Sequence, residues 1–310
     1  MNLRDLRYLV AVAEHRHFGR AAESCQVSQP TLSSQIKKLE GFLGVQLVER
    51  SSKQVMLTAV GEAVASRARQ ILAAVDDLVE VARSASDPLA GDFRLGLIPT
   101  VAPYLLPALI PVLRETFPRL RPVLQEEQTS VLLERLRHGE IDAAILAVPV
   151  DGIDAFQRLH LYDEPFLLAV PRGHRLDRVD SVSLECLRDE QVLLLEDGHC
   201  LRDQALDICR MVGAREEREF RAASLETLRQ MVAAGGGVTL LPALAGGDPD
   251  TAGGLGNLVL HRFSPSPPMR HIAMVLRKGS AREPTVRDIA ETICRMPLVE
   301  RLVGDPDSLG

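Results

Sequence analysis

Residues 21–50 read AAESCQVSQPTLSSQIKKLEGFLGVQLVER, and the fold of the first sixty residues turns on how this stretch is read. Leu32, Ile36, Leu39 and Phe42 recur at helical spacing and predict one apolar stripe, on a helix running to about Leu43. Ser28 or Gln29 caps that helix, because Ser is a favoured N-cap and Pro30 suits a first turn. Before it lies a shorter helix over residues 19–25, broken at Gln26-Val27-Ser28. A further helix over residues 3–14 carries Leu3, Leu6, Leu9, Val10 and Ala13. Short helix, tight turn, helix is the arrangement that sets a reading helix in the DNA major groove. After Gly44, residues 45–48 and 55–57 flank a polar turn and predict a hairpin, or wing.

Beyond the wing the chain predicts a long helix from Thr58 to Ser84. Val64, Ala68, Ile71, Val75, Leu78 and Ala82 alternate four- and three-residue steps, the spacing of a coiled-coil seam. The alternative is an amphipathic helix packed on its own domain. A seam directly after a DNA-reading module favours dimerisation, since two readers must face two half-sites. Residues 84–91, SASDPLAG, form the exit hinge.

From Asp92 onward, strands alternate with helices. Strands are expected at 93–98, 123–127, 143–148, 166–170, 192–195, 238–241 and 272–276. Helices are expected at 104–116, 131–137, 201–212 and 225–233, with a last one from Val286. This predicts a mainly parallel α/β body whose ligands sit beyond the carboxyl ends of strands. Residues 246–256 read as a loop.

Composition bounds the function. A chain of 310 residues holds two or three domains, and 46% hydrophobic with 25% charged residues is globular rather than disordered. Five cysteines are too few for a disulfide scaffold. No signal-peptide pattern appears, and no run approaches the roughly 18 apolar residues of a membrane span, so a cytoplasmic protein with free thiols is expected. The net charge of −6 argues at first against nucleic acid. It hides an asymmetry: residues 1–60 hold eight Lys+Arg against five Asp+Glu, or +3, leaving −9 for the remainder.

The third helix offers Ser28, Gln29, Pro30, Thr31, Ser33, Ser34, Gln35, Lys37 and Lys38 off its apolar stripe. Gln, Ser and Thr there can read base edges while Lys reaches phosphates; the bland reading is a solvated helix surface. Arg50, Ser51 and Lys53 in the wing would add contacts to the DNA backbone.

The run from Leu3-Arg4-Asp5-Leu6 through residues 21–50 to LTAVGE at 57–62 resembles the signature of LysR-type transcriptional regulators. The resemblance implies a winged helix-turn-helix over residues 1–58, a dimerising linker helix and hinge over 59–90, and a regulatory body over 91–310. That body is an α/β domain of two lobes, like a periplasmic binding protein.

Two of the five cysteines stand apart. Cys200 follows a strand and a Gly turn and opens a helix, where unpaired N–H groups and the helix dipole favour a thiolate. His199, if protonated, and Arg202 would help; Glu196, Asp197 and Asp203 oppose. Cys25, Cys186 and Cys294 fall among helical apolar positions and read as unreactive. Cys209 lies nine residues after Cys200; on one continuous helix they are separated by about 13 Å along the axis. A disulfide needs Cα atoms within about 7 Å, so the two cannot bond while the helix stands.

LEDGHCLRDQALDIC at 195–209, residues 220–244 and GLIPTVAPYLLP at 96–107 are similar to the peroxide-sensing branch of the LysR-type family. That resemblance implies that Cys200 is oxidised to a sulfenic acid and that Cys209 resolves it as a disulfide. It implies a peroxide pocket of Thr100, Thr129, His199, Gln204 and Arg270, with Arg262 and Arg277 as neighbouring candidates for the arginine. It further implies double-stranded DNA and hydrogen peroxide as partners, a homodimer through the linker helix that assembles into a homotetramer, RNA polymerase, and a thiol reductant for recycling. No cofactor and no metal are expected. Two alternatives stand beside it: a LysR-type regulator gated by a small organic effector, and a thiol peroxidase, which would have no use for residues 1–60.

Overall fold

The computed structural model describes residues 1–50, 55–84, 89–179, 181–246 and 256–303. The chain divides into two compact units, Met1–Ser86 with Arg137–Glu140, and Asp87–Leu136 with Ile141–Gly310.

The first unit begins with α1 (Leu3–His15), whose N-terminus is closed by a reciprocal Asn2–Asp5 capping box. The short α2 (Phe18–Ser24) and then α3 (Gln29–Leu43) follow. Ser28 caps α3 by accepting from the Thr31 N–H, and Gly44 ends it with φ +71°. Leu32, Ile36 and Leu39 are buried against Leu9, Val12 and Ala21. Phe42 does not join them: it is 65% exposed, and Leu43 continues the stripe instead. The wing is an antiparallel pair, β1 (Val48–Arg50) and β2 (Val55–Leu57), so its first strand starts later than the apolar run suggested. Residues 45–47 are drawn aside because the Glu40 carboxylate accepts from the N–H groups of Leu47 and Val48. The long helix α4 (Ala59–Ser84) then passes close to the wing at Gly61, where a Cβ would lie 2.0 Å from the Leu47 carbonyl oxygen.

The second unit opens with β3 (Gly91–Leu97), α5 (Ala102–Thr116), β4 (Leu120–Glu126), α6 (Thr129–Arg137) and β5 (Ala143–Val148). A single 16-residue strand, β6 (Phe156–Pro171), follows. Next come β7 (Ser181–Val182), β8 (Gln191–Leu195), α7 (Cys200–Val212), β9 (Arg215–Ala222) and α8 (Leu225–Ala233). The unit closes with β10 (Thr239–Pro242), α9 (Ala243–Gly246), β11 (Leu258–Phe263), β12 (Met269–Arg277), α10 (Glu283–Cys294) and α11 (Pro297–Val303).

Two hydrophobic cores share this unit. One gathers β3, α5, β5, the first half of β6, β12 and α10; the other gathers the second half of β6 with β8, α7, α8 and β10. The long β6 passes through both, which makes them two lobes of one body.

The expectation of a mainly parallel sheet is corrected. β3 pairs parallel with β4 and β5, and β8 with β9, but β6 runs antiparallel to β10, β11 and β12. β10, β11 and β12 meet β6 only after long intervening segments, so no local turn or crossover in the sequence signals their direction. Most of β6 (residues 156–165 and Pro171), all of β9 and β11, and β7 lie outside the strands expected from the sequence. The loop at 246–256 lies almost wholly outside the described residues, as do positions 85–88 of the hinge. Among the described residues, no helix is long and apolar enough to cross a membrane.

Candidate functional site

The parallel strands of the first lobe aim two hydroxyls at one edge. β3 and β4 run side by side in the same direction, so the segments leaving their carboxyl ends emerge together. The first carries Thr100 and the second Thr129, which begins α6. From the other lobe, β8 ends at Leu195 and a turn through Gly198 delivers His199 and Cys200. Ile98, Pro99, Thr100, Gln128, Thr129, Gly198, His199 and Cys200 thus line one cleft enclosing about 160 Å³ of atom-free space. It is narrow: a water-sized sphere fits nowhere inside it.

Cys200 is the first residue of α7 and His199 is its N-cap. Burial pushes the Cys200 thiol above its ordinary value. The Thr129 hydroxyl, the Arg270 charge and backbone N–H groups act in the opposite direction without prevailing. The helix-terminus argument for a thiolate therefore loses to desolvation in this reduced state. The acidic residues expected to oppose ionisation are partly neutralised. Asp197 accepts from Arg202 at 2.8 Å and from Arg221 at 2.9 Å, and Arg202 also donates to the Leu195 carbonyl.

Arg270 enters from β12, fully buried. Its Nη1 donates to the Thr100 hydroxyl at 3.0 Å and its Nη2 to the Thr100 carbonyl at 3.1 Å. Arg262 is exposed, and Arg277 turns to the carbonyls of Leu136 and Ile141. Gln204 lies one turn beyond Cys200 on α7 and is not among the cleft-lining residues. Its Oε1 is nevertheless buried and has no hydrogen-bond partner among the described residues. The buried Thr129 hydroxyl faces the Cys200 thiol.

Cys209 is buried at the far end of α7 among the side chains of the second lobe. All five cysteines are free thiols. Reading the sequence missed Gln128, Gly198 and Glu164. Gly198 had a signal in its Asp-Gly turn, and its φ of +98° places it in the left-handed region. Glu164 had one too, as an acid directly before the apolar run of β6.

On the first unit, Ser28, Gln29, Pro30, Thr31, Ser34, Lys37 and Lys38 are exposed, while Ser33 and Gln35 are half-buried. Ser28 and Thr31 hydroxyls bond each other at 2.8 Å at the start of α3. Ser51, Lys53 and the Arg50 side chain lie outside the described residues.

Residues 3–62 match the bacterial regulatory helix-turn-helix proteins of the lysR family, and residues 86–295 match the LysR substrate binding domain. The chain belongs to the LysR family of transcriptional regulators, which sets aside the thiol-peroxidase alternative. Within that family it is 50% identical over 293 residues to the DNA-binding transcriptional dual regulator OxyR of Escherichia coli, covering 94% of this chain and 95% of that protein. Its fold resembles a full-length OxyR variant from Pseudomonas aeruginosa, with a TM-score of 0.77 and 38% identity over 96% of this chain and 99% of that one. It also resembles a hydrogen-peroxide-bound OxyR cysteine mutant from Corynebacterium glutamicum, with a TM-score of 0.64 and 36% identity over 95% and 92%.

Proposed function

We propose that this protein is a cytoplasmic, peroxide-responsive transcriptional regulator that activates oxidative-defence genes and is switched at Cys200. The observation that carries the reading is the placement of Cys200 in one small cleft with Thr100, Thr129 and His199, on the same helix as Cys209.

The chemistry balances as follows. The Cys200 sulfur attacks one peroxide oxygen, the O–O bond breaks, and the thiol proton leaves with the other oxygen as water, giving a sulfenic acid. Thr100, Thr129, His199 and Gln204 orient the peroxide, and Arg270 stabilises charge developing on the departing oxygen. The Cys209 thiol then attacks the sulfenic sulfur, forming the disulfide and releasing a second water. A thiol reductant returns two electrons to reset the protein.

In this reading residues 1–58 read DNA, 59–90 dimerise, and 91–310 sense. Ser28 through Lys38 on α3 contact bases and phosphates, with Arg50, Ser51 and Lys53 of the wing on the backbone. Two dimers form a tetramer, and the redox state of the body sets how it engages promoter DNA and RNA polymerase. DNA footprinting of reduced and peroxide-treated protein tests this. The footprint should shift with peroxide and stay fixed in Cys200→Ser; a footprint indifferent to peroxide, or a Ser variant that still shifts, overturns it.

A further inference from the structure

Beneath the cleft lies a buried ion pair, Arg270 with Glu164, whose acidic member the peroxide chemistry does not use. Glu164 sits midway along β6, where the strand passes from one lobe to the other, directly across the antiparallel ladder from Arg270 on β12. Both side chains are 0% exposed. Glu164 Oε2 accepts from Arg270 Nε at 2.8 Å and lies 2.7 Å from Nη2. The other oxygen, Oε1, accepts from the Leu244 N–H at 2.8 Å, at the start of α9. The carboxylate is therefore fixed on both oxygens, and it holds one side of the guanidinium. Nη1 is left to bond the Thr100 hydroxyl in the cleft wall, and Nη2 lies between Glu164 and the Thr100 carbonyl.

We propose that Glu164 is a positioning residue for the peroxide site, setting the Arg270 guanidinium so that it meets Thr100 and the oxygen leaving Cys200. The proposal rests on the peroxide reading above. Three physical points support it. A planar guanidinium needs a partner to fix its orientation, and a carboxylate on its Nε–Nη2 edge leaves Nη1 directed away from it, toward the Thr100 hydroxyl. A buried cation without a counter-charge is strongly unfavourable, so Glu164 offsets the cost of holding the permanently charged Arg270 in this interior. The Leu244 bond ties the carboxylate to β6 and α9 together, so Arg270 cannot swing without disturbing the passage between the lobes. Among the described residues, the Arg270 charge also acts on Cys200, on Tyr104 and on the buried Tyr162, whose phenol feels Glu164 as well, and His199 lines the same cleft.

The test compares two reactions of Cys200 in the full-length reduced protein, followed by site-resolved mass spectrometry across pH. One is oxidation by hydrogen peroxide; the other is alkylation by iodoacetamide, which needs the thiolate but no positioned donor. In Glu164→Gln the ratio of peroxide rate to alkylation rate should fall by about tenfold or more, and the alkylation profile should move to lower pH as the Arg270 charge is unmasked. Glu164→Asp keeps the charge but withdraws it by one methylene, so the ratio should fall there too; this variant decides the matter if the Gln form folds poorly. Glu164→Gln added to Arg270→Met should reduce the ratio no further than Arg270→Met alone. A wild-type Cys200 that does not react with peroxide overturns the functional reading and this assignment with it. A reactive wild type beside Glu164 variants with the wild-type ratio overturns the assignment of Glu164 alone.

Discussion

Cys200 and Cys209 stand on one helix, α7, but their side chains are packed into different hydrophobic cores, Cys200 in that of the first lobe and Cys209 in that of the second. They are nine positions apart, a rise of about 13 Å that a disulfide cannot span. A bond between them would therefore dismantle the first turns of α7. In doing so it must also free buried Arg202, whose bonds to Asp197 and Leu195 hold the N-terminal end in place. The other end is held by Arg188, which donates to the Val212 carbonyl at 3.0 Å. We predict that peroxide treatment yields a Cys200–Cys209 bond by mass mapping and loss of amide-exchange protection over residues 201–208. Cys209→Ser should stop at the sulfenic acid with that protection retained. Protection unchanged in a fully disulfide-bonded protein would sink the remodelling argument.

A second prediction separates the switch from the bystanders. Burial, aided by the charge of Glu190, pushes the Cys186 thiol up to about 11. A thiol is neutral below its pKa, so at pH 8 only about one Cys186 in a thousand is thiolate. Its alkylation should climb about tenfold per pH unit until near pH 11 and be negligible at neutrality. Site-resolved labelling over pH 7–11 measures this. Fast labelling of Cys186 at pH 7, or a disulfide that includes it, counts against its structural role.

Gly198 gives a third. Its φ of +98° disfavours any side chain, and an added Cβ would lie 2.7 Å from Gln128 Oε1. Gly198→Ala should cost about 1–2 kcal/mol of stability through the backbone alone. It should also slow Cys200 oxidation by displacing Gln128 across the cleft. Thermal unfolding and stopped-flow oxidation read the two effects separately; wild-type oxidation kinetics would show that Gln128 does not border the peroxide's path.

Local chemistry made much of this legible in the sequence. Ser28, Pro30 and Gly44 delimit α3 through capping and backbone preference, which act within a few residues. β5 and α8 matched their expected bounds because each is a dense apolar run closed by polar or turn residues. What escaped depends on distant partners. β9, REEREFRA, carries little apolar signal and is held by pairing with β8. β6 is long because two lobes share it, which no window of its own residues encodes. Thr100, Thr129 and Cys200 converge only because parallel strands end at one edge, and Glu164 is explained by Arg270, 106 residues away.

On the DNA-reading helix, Lys37 and Lys38 are exposed beside the helix face that carries Ser34. If they reach phosphates, Lys38→Ala should weaken binding to all sequences alike and make the salt dependence shallower by about one unit in log–log slope. Ser34→Ala should instead change base preference at one position with little change in slope. Titrations by fluorescence anisotropy over a salt series distinguish these, and a Lys38 variant with the wild-type slope removes it from the interface.

The seam of α4 makes the last prediction. Ala68 is buried within its own chain, but Ile71 is 45% exposed and Leu78 is 70% exposed; the Ala82 side chain lies outside the described residues. A helix packed on its own unit would hide these positions, so their exposure at coiled-coil spacing favours a second copy as the cover. A charge placed in that seam must be buried on association or keep the helices apart. Leu78→Asp should therefore weaken self-association by at least about tenfold, or about 1.4 kcal/mol. Sedimentation velocity should show the sedimentation coefficient falling toward that of the single chain, with operator binding lost alongside. Since Leu78 is neither a cleft-lining residue nor part of α3, Cys200 should keep its wild-type reaction with peroxide. An assembly unchanged by Leu78→Asp would place the dimer contact elsewhere.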